Sequence, residues 1–191
     1  MNNRLAAASF PWLDISIPEL VAGIEGHAAW VSECLKTPHD AWIPQVFVIT
    51  KATPDADRVM HVFSLAVNFG DRDAKRKALR NVGRSIFEAK TCPAAVVMST
   101  EVWIAPDWRG GEPQFHPERK EGIVVQAKTL LSQACGMTRM LTTRDANGDI
   151  VPSQFEPVLT EGVTINVLSH IFAGFYDAAK AAVKARRKRT R

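Results

Sequence analysis

Four strand-like segments follow one another between residues 93 and 158, separated by loop and turn signals and not by helices. No other feature of the chain limits its fold as much. Residues 93–105 are strongly apolar and read as a central strand with Glu101 inside it. Residues 122–131 and 137–144 read as two strands around a turn at Gly136. Residues 145–149 (DANGD) are a hairpin signal, because Asn-Gly takes the positive φ angles of a type I′ turn. Residues 150–158 add a last strand, interrupted by Pro152 and Pro157. Hairpins dominate and β-α-β alternation is scarce, which predicts a mainly antiparallel sheet.

The flanking segments supply helices and a further hairpin. Ser16-Ile17-Pro18-Glu19 is a capping box with Pro in the first turn. Leu20, Ile24, Ala28, Val31 and Leu35 then recur at helical spacing to about Lys36. Gly23 and Gly26 weaken this helix, or let something pack closely against it. Residues 42–50 form a β-branched and aromatic run in which Pro44 marks an edge or a strand start. Alternation from Val59 through His61, Phe63, Leu65 and Val67 to Phe69 predicts a long second strand, paired antiparallel with the first. Its phase puts His61 on the apolar side. Asp71-Arg72-Asp73 opens a helix with acids at its positive end. Ala78, Leu79, Val82, Ile86 and Ala89 share one face of it, and Arg76, Arg80 and Arg84 form a second stripe. A final helix starts near Thr164 and continues into a basic tail.

The fold class expected is therefore α+β: a mainly antiparallel sheet of five to six strands with three helices, in the order α-β-β-α-β-β-β-(β)-α. The expected core includes Val48, Phe63, Leu65, Leu79, Val82, Val97, Val102, Val124, Leu168, Ile171 and Phe175.

A chain of 191 residues fits one domain, read as residues 1–183 with a tail at 184–191. Hydrophobic residues at 46% and charged residues at 23% exclude global disorder. Cys34, Cys92 and Cys135 are odd in number and lack CxxC spacing, so three buried, reduced thiols are expected, without a thiolate metal site. The apolar patch at residues 5–8 is too short for a secretory signal, and no run approaches a membrane span. A soluble, cytoplasmic protein with no membrane contact is expected. The formal charge is +4, yet residues 184–191 alone carry six positive charges and no acid. The alkaline balance is thus a property of the C-terminus.

The loop at 106–121 gathers polar groups between two strands and is the first candidate site. Pro106-Asp107 with Glu118-Arg119-Lys120 sketches a PD-(D/E)xK nuclease, in which an acid pair holds a divalent metal and Lys120 activates water. Turn chemistry and a solvated charge run explain the same residues. His116 with Glu101 or Glu118 sketches a metal or acid/base site, but no HxH or HExxH accompanies it. There is no GxSxG and no phosphate-cradling glycine loop. The catalytic candidates are thus Glu101, His116, Glu118 and Lys120, with no metal site and no cofactor expected. Arg76, Arg80 and Arg84 could track phosphates from one helical face. Arg186, Arg187, Lys188 and Arg189 form a denser cluster, suited to nucleic acid or to simple solubility.

Ser99-Thr-Glu-Val-Trp103, His116-Pro-Glu-Arg-Lys-Glu121 and the turn Arg144-Asp-Ala-Asn-Gly148 together resemble a family of uncharacterised bacterial and phage proteins. That family has a Ser-Glu-Ala-Trp-like strand end, a Pro-Asp-Arg-x-Glu-like loop and a hairpin. The resemblance spans about residues 45–150. The chain departs from it at Thr100, which is inserted, and at Glu118, which replaces Asp. No activity comes with it. It implies that Glu101, Trp103, Arg119 and Glu121 form one structural constellation, with an Arg119–Glu ion pair pinning the loop. Three function classes follow: a non-enzymatic binding or accessory protein, phage- or mobile-element-borne, with nucleic acid or another protein as partner; a metal-dependent hydrolase or nuclease using residues 101–121; and a subunit of a homo-oligomeric or larger assembly.

Overall fold

The computed structural model describes residues 11–67, 71–104 and 117–189. Among these residues three α-helices, α1 (Ile17–Cys34), α2 (Arg72–Glu88) and α3 (Ser169–Arg189), and a short 3-10 helix at Pro11–Leu13 accompany six strands. These are β1 (Gln45–Lys51), β2 (Val59–Ser64), β3 (Cys92–Ile104), β4 (Lys120–Thr129), β5 (Cys135–Arg144) and β6 (Ile150–Pro152). They form one sheet in the order β2-β1-β3-β4-β5-β6, and every neighbouring pair is antiparallel. The α+β class and the element order are those read from the sequence. No described helix is long and apolar enough to cross a membrane.

The capping box at α1 is complete: the Ser16 hydroxyl accepts from the Glu19 N–H, and the Glu19 carboxylate accepts from the Ser16 N–H at 2.8 Å. Glu19 also pairs with Arg58. The backbone hydrogen bond from Ser16, then the bond from Arg58, hold its carboxyl at about 2.

Helix α1 lies on one face of the sheet, over β3, β4 and β5. Strand alternation sends Val97, Val125 and Met140 to this side, and Met98, Val96 and Lys128 to the other. The second face is covered by α2 and α3, which pack closely on each other. Gly83 lies under the backbone of Ile171 and Phe175, and Gly174 lies under the backbone of Arg80. A Cβ at either glycine would overlap a carbonyl oxygen, so this crossing requires both glycines.

Several boundaries differ from expectation, each for a local reason. Pro44 precedes β1, but β1 is no edge, since it pairs with both β2 and β3. Strand β2 ends at Ser64, where its pairing with β1 ends; Phe69 lies outside the described residues. The β4–β5 turn falls at residues 130–134, and the positive φ belongs to Gln133 and not to Gly136. Gly136 sits inside β5, where a Cβ would come within 2.7 Å of Ile24 Cδ1. In the 145–149 turn only Gly148 has positive φ, so the turn is not type I′. Asp145 Oδ1 caps it by accepting from the N–H groups of Asn147 and Asp149. Strand β6 stops at Pro152, and α3 starts at Ser169, five residues later than read. Phe63 and Val102 are half-buried, on the edge strand and near the end of β3; the other nine expected core residues are buried. The three thiols are free and half-buried, not buried.

Candidate functional site

Two arrangements hold the sequence-derived candidates. The first sits where β3, β4 and β5 end together. Register places Glu101 opposite Ile123, Trp103 opposite Glu121, and Glu121 opposite Thr142. Both carboxylates meet Arg144 at the end of β5: its Nη2 donates to Glu101, and its Nε donates to Glu121 at 2.7 Å. Its Nη1 also donates to the carbonyls of Asp40 and Gly148. Burial opposes the charged guanidinium, but the Glu121 hydrogen bond and the fields of Glu101, Glu121 and Asp40 raise its pKa above the usual value. Glu101 Oε2 accepts from the Trp42 N–H at 3.2 Å, while Trp42 Nε1 donates to the buried Ser99 hydroxyl at 3.1 Å.

The expected constellation therefore forms around a different arginine. Arg144 makes the ion pairs to Glu101 and Glu121. Arg119 instead lies over the exposed Trp103 ring, 4.9 Å from its centroid. Arg119 is implied by the resemblance, whereas Arg144 is 43 residues from Glu101 and only strand register unites them. Glu118 and Lys120 are exposed, in the turn before β4 and at its first residue. Lys120 thus opens a strand opposite Ile104 and does not belong to the loop. His116 and Asp107 lie outside the described residues. Among the described residues no group of three His, Cys, Asp or Glu side chains could hold a metal ion. With Arg144 between them, Glu101 and Glu121 form a structural tie at the sheet end.

The second arrangement is the α2–α3 layer. Arg76, Arg80 and Arg84 are exposed along α2, with Arg72 and Lys77. Arg80 donates to Asp177 of α3 at 2.8 Å, and Arg76 pairs with Asp73. Helix α3 does not stop where the basic cluster begins: it continues through Arg186, Arg187 and Lys188 to Arg189. Lys180, Lys184, Arg186 and Arg187 are exposed on it. Cations gathered there complement the negative end of the helix dipole. The layer's field reaches His170 at the start of α3, which burial, then Arg80, Arg76 and Lys75, push below its ordinary pKa.

Sequence reasoning missed a third feature. Beside α1, a cavity of about 300 Å³ is lined by Gly23, Gly26, His27, Trp30, Phe47 and Met60, among others. His27 is 93% buried, touching Phe47 edge-on at 4.3 Å and Trp30 at 5.3 Å. Among the described residues its Nε2 has no hydrogen-bond partner. Burial lowers its pKa to about 4, so the ring is neutral at pH 7. The paired glycines of α1 were the signal, since among the described residues nothing lies within 4 Å of where their Cβ atoms would be.

No protein-family model, curated protein or solved structure gives a significant match to this chain. The resemblance read from residues 45–150 therefore rests on its own residues.

Proposed function

We propose that this chain is a nucleic-acid-binding or accessory protein that holds a polyanion on its α2–α3 layer. The observation that carries the reading is a separation of charge between layers. Helices α2 and α3 together contain twelve basic and three acidic residues, a formal +9. The rest of the chain, with twelve basic and seventeen acidic residues, carries −5. Two adjacent basic helices on one side of a sheet offer a phosphate backbone a directional field, which a basic tail on a neutral body does not. The exposed cations are spread along both helices, which suits non-specific contact with phosphates more than reading of base edges.

Fluorescence anisotropy with duplex DNA and single-stranded RNA across a salt series tests this. Binding should weaken steeply with salt, because each phosphate contact contributes about 0.9 to the log–log slope on duplex DNA. Replacing Arg84, Lys184, Arg186 and Arg187 with Gln should cut affinity at least ~10-fold and flatten the slope by about 3 to 4. No binding at low salt, or an unchanged slope in the variant, would remove nucleic acid as the partner of this face.

A further inference from the structure

We infer that the β2 edge pairs with the β2 edge of a second copy of this chain, joining two six-stranded sheets into one of twelve strands. The two edges of the sheet are treated differently. At β6 the edge is three residues long and ends in Pro152, and the chain beyond it bonds back to β5 through Glu156 and Leu159. At β2 the edge is six residues, Val-Met-His-Val-Phe-Ser, with no charge and no proline. Edge strands left open in this way are templates for another strand, and monomeric proteins blunt them with charges, proline or bulges.

The register shows which groups are open. The Leu65 N–H donates to the Pro44 carbonyl at 2.9 Å, which makes Phe63, His61 and Val59 the residues that exchange bonds with β1. The N–H and C=O groups of Met60, Val62 and Ser64 therefore point outward. Met60 and Val62 are also 60% and 54% exposed on their side chains. With Trp30, Ile43 and Val59, they expose on the order of 500 Å² of apolar surface, against ~800 Å² per copy in a standard interface.

The strand is self-complementary. A two-fold axis at Val62 sets Val62 against its own copy and Met60 against the second copy's Ser64. On the other face it sets His61 against the second copy's Phe63. No like charges meet. An axis of this kind stands normal to the sheet, so both α2–α3 layers fall on the same side of the twelve-stranded sheet. The basic surface would then be doubled, but edge pairing does not depend on what that surface binds.

Sedimentation velocity and light scattering on the full chain test this, in about 0.5 M salt to suppress bridging by polyanions. At about 50 µM the wild type should run at twice the 21.1 kDa chain mass. Val62→Pro removes only an outward N–H, and Met60→Lys places a charge on an exposed edge position, so both should keep the wild-type circular dichroism and run as monomers. A wild type of any other mass, or a dimer that persists in either variant, overturns the inference. An unfolded Val62→Pro leaves the decision to Met60→Lys, whose side chain is 60% exposed at the mouth of the α1 cavity.

Discussion

The two faces of the sheet are covered in opposite ways. On one, α2 and α3 press backbone to backbone at Gly83 and Gly174, and present a basic outer surface. On the other, α1 lies over β3, β4 and β5 and leaves β1 and β2 facing an aromatic-lined cavity. Each layer contains two glycines, with different consequences. In α2 and α3 the missing Cβ is what lets the helices touch. In α1 it faces open space. A helical glycine thus reports close packing only when something occupies the volume its side chain would fill.

Three changes would break or sharpen this contrast. The largest effect is expected at the α2–α3 crossing: Gly83→Ala or Gly174→Ala should each cost about 3 kcal/mol or more, because the obstruction is backbone and cannot swing aside. The urea midpoint should fall with an unchanged m-value; a loss below about 0.5 kcal/mol would mean the helices are further apart.

The next concerns His27. Its folded pKa, about 4, lies below the ordinary 6.5, so the unfolded chain binds more protons between these values. The stabilisation is complete above pH 6.5 and is lost as pH falls toward 4. Between pH 7 and pH 5 this amounts to about 2 kcal/mol, and His27→Phe should flatten that part of the stability–pH curve. An identical slope in the variant would show that His27 is solvated.

The smallest effect has the opposite sign. Gly26→Ala meets nothing within 4 Å among the described residues and should stabilise α1 by about 0.5–1 kcal/mol, read as a rise in melting temperature. Destabilisation would mean that the space beside α1 is filled.

Much of the fold was legible because it rests on local rules. The capping box at Ser16 and Glu19, the helical periodicity of α1 and α2, and the alternation of β1 each depend on neighbours within a few residues. Strand ends were read less well. Phe69 continues the alternation of β2, yet the strand stops at Ser64, because pairing with β1, which begins at Gln45, decides its length. The candidate site was legible in composition but not in pairing. Glu101 and Glu121 were singled out, while the arginine that binds both was read only as part of a turn.

The sequence by itself determined the fold class, the element order, most of the core and the basic character of the C-terminus. Each of these follows from periodicity, propensity or charge count, which are properties of short windows of chain. Tertiary structure alone decided that Arg144 and not Arg119 ties the sheet end, that α2 and α3 share one basic layer, that His27 is held neutral, and that β2 is the outermost strand of the described sheet. These depend on which distant residues meet. That is set by strand register and helix crossing, where one residue of slip exchanges the two faces of a strand.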